Sequence, residues 1–444
     1  DPSRVFQLME AKEYQRKQQQ GLGRPIIATD FQGHKIVAVG RELFTAKNVK
    51  TVPDFLDHYI RHVLDEDWWD GELKKEFQDR HPILQWHGIW LQNRSKNAQR
   101  TGDIISSPEI GASMSFYGLA NNLYLIQHNV EVQQELIRRL KLADKSNFHG
   151  ALYETYVVAY FIKAGFDIKF EDELDRTTSH CEFTATHKIT KRKFSVEAKT
   201  IQYHEKSRPK IIPKLRGALK KEADHERIVF IDVGRSAQTF DGSKRLLLNA
   251  VEQLNELETS PKLQGETLPP AYVIITNHSF WHDLQGRDCH FAGMSEGFKI
   301  STFKADYRDS VKNALIERER HKEVFELLES MQKHQGVPST CDGENPETAF
   351  HPDGKNPPLI IGNKYRVPWD EGEEIATLTQ AEVMQSKKIV MGVYEVEGKG
   401  VKMISCPISD TELTAYKRHP DTFFGKVEPK GSLKSPLDFY DWAY

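Results

Sequence analysis

The 444-residue chain has few cysteines, no long apolar run and almost no excess of charge of either sign, and each shortage closes off a class of protein. Cys181, Cys289, Cys341 and Cys406 lie far apart with no CxxC pair. This excludes a disulfide framework and a structural zinc site, and fits a reducing cytoplasm. No segment approaches the roughly 18 to 20 apolar residues of a membrane span, and DPSRVFQLMEAKEYQRKQQQ has no apolar signal region, so no membrane partner is expected. A formal charge of -3 carries no global signature of nucleic acid, so any such signature must be local. There is no GxxxxGK[ST] phosphate loop, no GxSxG elbow and no internal repeat.

What is present suffices for buried cores: 38% hydrophobic residues over a length that, at roughly 150 residues per domain, predicts two or three units. Residues 1–145 read as a mixed α+β domain, with a glycine-turned hairpin around Gln32-Gly33 followed by helical patterns such as VPDFLDHYIRHVL. Residues 146–335 run helix (FHGALYETYVVAYFIKAG), strands DIKFE, HCEFTAT and KFSVEAKTI, basic helix PKIIPKLRGALKKEAD, strand RIVFIDV, helix and strand AYVIITN. One long charged helix is then expected from Asp306 to Gln335, stopped by Gly336 and Pro338. Residues 336–358 concentrate Pro, Gly, Asn and Asp and read as a linker. Residues 359–444 form a small β-containing domain with a hairpin turning at Gly398 to Gly400.

Strand parity puts Ser195, Glu197 and Lys199 on one face of KFSVEAKTI, opposite Phe194, Val196 and Ala198. In the preceding strand Glu182 stands on the polar face, with Cys181, Phe183 and Ala185 on the other. The short HKITKRK connection makes the two strands antiparallel neighbours, so Glu182 and Glu197 are placed to share one cation. Glu154 is the lone charge in GALYETYVVAYFI. A carboxylate buried there needs a partner, expected to be a metal or the Lys199 ammonium across the helix–sheet contact. Three carboxylates and a lysine suit phosphodiester hydrolysis: the acids hold Mg²⁺, which lowers the pKa of bound water and offsets developing charge, while the lysine orients the water.

With Glu154 in GALYETYVVAYFIKAGF, Glu182 in CEF and Glu197 and Lys199 in VEAKT, the chain resembles the PD-(D/E)XK, or restriction-endonuclease-like, nucleases. The likeness is nearest to Holliday-junction resolvase and Mrr-like members and covers about residues 148–276. It implies an α/β fold with an αβββαβ core, a central mixed sheet flanked by helices. It implies that Glu182, Glu197 and the Ala198 carbonyl ligate Mg²⁺, with Mn²⁺ able to substitute. Glu154 is then a direct or water-mediated ligand and Lys199 the catalytic lysine. It further implies a DNA endonuclease rather than one for RNA, of the kind found in restriction, antiphage defence or repair. Position 182 departs from the family's usual Asp, lengthening the reach by one methylene; Asp175 competes for this role.

Between Lys188 and Lys221 twelve Lys or Arg face two Glu, against a nearly neutral chain. Ile211, Ile212, Leu215, Ala218 and Leu219 supply an apolar stripe, leaving Lys210, Lys214, Lys220 and Lys221 to approach phosphates. His282, Asp288, Cys289 and His290 match no zinc spacing. Trp68, Trp69, Trp86 and Trp90 fit core packing better than base stacking. The long helix or the terminal domains offer surfaces for a homodimer or a protein partner. Two rival readings keep the fold without catalysis: a nucleic-acid-binding module, and a scaffold subunit of a larger complex.

Overall fold

The apolar run around Glu154 forms helix α1 (Lys145–Lys163), capped by Asp144, whose carboxylate accepts from the Asn147 N–H at 3.0 Å. Gly165, with φ +87°, turns the chain into strand β1 (Phe166–Phe170). Then follow β2 (Phe183–His187), β3 (Lys193–Thr200), helix α2 (Ile212–Leu219), β4 (Glu226–Asp232), α3 (Phe240–Thr259), β5 (Ala271–His278) and β6 (Phe291–Phe298). This is a computed structural model, and the residues described are 13–101, 104–142, 144–171, 181–201, 209–236, 239–259, 268–287, 291–304, 310–343, 359–369, 372–396, 398–418, 420 and 423–426.

The six strands form one mixed sheet in the order β6-β5-β4-β3-β2-β1. Pairing is antiparallel from β1 to β3, parallel through β3, β4 and β5, and antiparallel again at β6. The two parallel joints are crossovers through α2 and α3, which is why helices flank the sheet. Val229, Ile231, Val273 and Ile275 pack on Leu215, Leu219, Leu247 and Leu254 of α2 and α3. The opposite face carries Phe183 and Phe230, whose rings lie 5.6 and 5.9 Å from that of Phe161 on α1. The chain is therefore a mixed α/β protein with a mixed central sheet flanked by helices. Strand β6 escapes sequence reading because FAGMSEGF mixes small and polar residues; its pairing to β5 defines it.

The described residues fall into two compact units, one over Gln20–Arg100 and Ile105–Val337, the other holding those of Asp1–Gln19, Thr101–Ile104 and Pro338–Tyr444. The boundary expected near residue 145 thus lies inside the first unit. Helix Gly111–Asn129 packs along α1 so closely that a methyl on Gly118 would overlap the Tyr156 hydroxyl. In the same unit the Gln32-Gly33 hairpin forms with both residues at positive φ, and Trp69 and Trp86 are buried. The expected long helix divides into Val311–Arg320 and Lys322–Lys333. The break falls at His321, whose ring is held by the Tyr272 hydroxyl at 2.9 Å and Thr302 Oγ1 at 3.0 Å. The linker expected over 336–358 lies outside the described residues from 344 on.

The second unit contains a four-stranded antiparallel sheet of Lys364–Trp369, Gly372–Met384, Ile389–Val396 and Gly400–Pro407. Its last hairpin turns where the glycines required it, with Gly398 at φ +77° and Gly400 at φ +98°. Among the described residues no helix is long and apolar enough to cross a membrane.

Candidate active site

Cross-strand register sets the site. Phe183 pairs with Val196, and the Glu182 N–H donates to the Val196 carbonyl at 3.0 Å, so Glu182 sits opposite Glu197 on the same face of the sheet. Lys199, two residues along β3, shares that face. Its Nζ lies 3.4 Å from Glu182 Oε1 and forms an ion pair with Glu197 Oε1. Three of the four residues named from sequence are thus brought together.

A fourth member comes from just beyond α2. The basic helix is shorter than its sequence suggested, ending at Leu219, and Lys221 lies past that end. Its Nζ stands 2.7 Å from Glu197 Oε1 and 3.4 Å from Glu182 Oε1. Lys221 was expected among the free phosphate-facing lysines; instead it neutralises the carboxylates. Lys214 is half-buried on α2, and burial followed by the nearby Lys199 charge lowers its pKa. Lys210 and Lys220 are exposed at either end of the helix.

Glu154 is placed differently. Glu197 pairs with Val229, on the α2–α3 face, whereas α1 covers the face of Phe183 and Phe230. Lys199 contacts Glu182 and Glu197 but not Glu154. The carboxylate, 3% exposed, instead takes the Arg139 guanidinium at 2.6 Å, from helix Gln134–Leu140. The partner expected from a metal or from Lys199 is therefore this arginine. Sequence reading missed it because RRL in an amphipathic helix does not reveal which arginine turns inward. Arg139 also lowers the Glu182 pKa, so it lies within electrostatic reach of the carboxylate pair.

The two carboxyl groups differ sharply. Burial pushes the Glu197 pKa up, with the Glu182 charge adding to it, to about 7. Burial acts on Glu182 too, but the Lys199 and Lys221 charges outweigh it and hold its pKa below the ordinary value. Like charges in one site share a proton in this way. A carboxyl whose folded pKa is raised contributes stability that is full below about 4.5 and is lost as pH rises through about 7. At about 1.4 kcal/mol per tenfold, that loss is on the order of 3 kcal/mol. In chelator, urea unfolding of Glu197→Gln against wild type should show the variant gaining about 1–3 kcal/mol in relative stability between pH 5 and pH 8. An equal difference at both values would contradict a buried, proton-sharing pair.

Whether a divalent cation fits can be judged from the donors. Two carboxylates converge, and the burial and the Glu182 charge that raise the Glu197 pKa mark a place where added positive charge is favourable. Because alternate carbonyls of a strand point the same way, that of Ala198 is directed, like that of Val196, toward the β2 side, past the last described rung. Glu182, Glu197 and Ala198 thus suit a hard cation. Glu154, held by Arg139, is not in that set, and among the described residues no three His, Cys, Asp or Glu side chains are placed to hold a metal. Asp175, Asp288, Cys289 and His290 lie outside the described residues.

A second polar cluster, not anticipated from sequence, closes the C-terminal ends of β4 and β5. Asp232 Oδ2 accepts from Thr276 Oγ1 at 2.9 Å and meets His278 Nδ1 at 2.5 Å. Tyr153 and Tyr160 of α1 reach Thr276 at 2.7 Å and His278 Nε2 at 2.6 Å. Fully buried and mutually satisfied, this network fixes α1 to the sheet. Comparison with family models, curated proteins and solved structures finds no match for the chain.

Proposed function

We propose that the protein is a Mg²⁺-dependent nuclease of the PD-(D/E)XK, restriction-endonuclease-like type, hydrolysing phosphodiester bonds of DNA. The observation that carries this reading is the meeting of Glu182 and Glu197, on adjacent strands, with Lys199 two residues along the same strand and Lys221 beyond the end of α2. The helix–three strands–helix–strand order around them agrees with that fold type. The choice of DNA comes from the resemblance.

In this reading Glu182, Glu197 and the Ala198 carbonyl hold the cation, which, when bound, acidifies water and offsets phosphorane charge. Lys199 orients the attacking water and balances charge at the scissile phosphate. Lys221 and Lys214 add positive charge beside it, and exposed Lys210 and Lys220 track the backbone. Glu154 keeps Arg139 in place and so acts as a positioning residue.

A second reading, favoured by the pairing of both lysines with both carboxylates, is a nucleic-acid-binding module without catalysis. The two part in one assay. The full chain, incubated with plasmid, linear and single-stranded DNA, is expected to cleave at least one with Mg²⁺ or Mn²⁺ and to stop on chelation. Cleavage indifferent to chelator, or none on any substrate, would sink the nuclease reading.

A further inference from the structure

At the opposite end of the sheet from the C-terminal polar cluster, the starts of β4 and β5 open on a cleft of about 390 Å³. Arg192, Arg227, Lys299, Arg320 and His321 line it, with Glu226 as the acidic member of the lining. The positive charges are not equally engaged. Arg192 is saturated, with Nε and Nη2 on Glu226 at 2.7 and 2.9 Å and Nη1 on Glu323 at 3.0 Å. Arg320 meets Glu317 at 3.1 Å.

Among the described residues the Arg227 guanidinium and the Lys299 ammonium form no ion pair with a carboxylate, although the Lys299 backbone N–H donates to Glu258 Oε1. Arg227 donates from Nη2 to the Lys221 carbonyl at 3.1 Å, while its Nε is buried without an acceptor. Lys299 Nζ donates to the Leu268 carbonyl at 2.9 Å. A backbone carbonyl supplies a dipole and leaves the net charge in place, so these two side chains bring positive charge to the cleft without a direct ion pair. The volume falls within the roughly 300–1,000 Å³ of small-molecule sites, and guanidinium with ammonium is the donor pair for phosphate oxygens.

We propose that this cleft binds a small phosphate-bearing anion. The ligand bridges Arg227 and Lys299, with Arg320 at its rim. Binding here is independent of catalysis. If the carboxylate site is a nuclease, one consequence rests on that reading: the Lys221 carbonyl that receives Arg227 belongs to the residue whose ammonium holds Glu197, so drawing Arg227 toward an anion adjusts that lysine.

The test is calorimetric titration of the full chain, in chelator, with pyrophosphate, with AMP and with a short DNA duplex. Lys299→Glu should weaken pyrophosphate and AMP binding by about 10-fold or more, as expected for loss of a charge-assisted contact, and Lys299→Gln by less. Lys199→Ala should bind both as wild type does, since the cleft and the carboxylate pair are separate. Melting temperatures check that each variant folds. No measurable pyrophosphate or AMP binding, or binding untouched by Lys299→Glu, overturns the proposal. So does binding lost in Lys199→Ala, which would move the anion to the carboxylate site. A Lys299→Glu effect confined to the duplex would assign the cleft to nucleic-acid phosphates and equally defeat it.

Discussion

Replacing Lys199 with alanine is expected to lower Mg²⁺-dependent DNA cleavage by about 100-fold or more, the usual cost of removing a fixed group that stabilises transition-state charge. Lys199 projects from a strand paired with β4 at its own rung, Lys199 opposite Ile231, and its ammonium meets both carboxylates. Lys221 meets the same two oxygens from beyond a helix end, and Lys221→Ala is expected to cost closer to 10-fold. Rates of supercoiled plasmid conversion for the two variants rank them. A reversed order would make Lys221 the lysine that faces the phosphate. Wild-type rates in both would remove the amines from the reaction.

The second large effect is on stability. Glu154→Ala is expected to destabilise the fold by about 3 kcal/mol, because removing one partner of a buried ion pair strands the other. The Glu154 side chain is 3% exposed while that of Arg139 is 20%, so part of the cost is relieved by water reaching the guanidinium. Removing both charges as Arg139→Leu with Glu154→Leu should recover much of the loss, as in a double-mutant cycle. The same variants separate structure from ligation. A rise in melting temperature on adding Mg²⁺, expected from linkage, should survive in Glu154→Ala and vanish in Glu182→Gln. Loss of the Mg²⁺ response in Glu154→Ala at full foldedness would restore Glu154 to the cation.

Much of this arrangement could be read from the chain because strand parity is rigid. Once HCEFTAT and KFSVEAKTI are taken as neighbours, Glu182, Glu197 and Lys199 have no choice but one face. The hairpins at Gln32-Gly33 and Gly398–Gly400 were legible for a similar reason, since few residues tolerate positive φ. Helix ends and helix faces were not. Nothing local in PKLRGALKK says that the helix stops at Leu219, and that stop converts Lys221 from a phosphate-facing residue into a counter-ion. Glu154 was correctly marked as needing a partner, but which sheet face α1 would cover is settled by packing across the whole unit. His321 likewise breaks a helix whose sequence is continuous, drawn aside by residues far away in the chain.

The turn joining β2 and β3 lies far from the carboxylates yet governs their alignment. The His187 N–H donates to the Arg192 carbonyl at 2.9 Å, the Lys191 N–H to that of His187 at 3.0 Å, and Lys191 stands at φ +62°. These bonds count the residues across the loop and fix the rung on which Glu182 comes to rest. One residue gained or lost at its tip would send Glu182 to the far side of the sheet, toward α1, and leave two lysines around a single acid. The chemistry of one end of the hairpin is thus indexed by the length of the loop at the other.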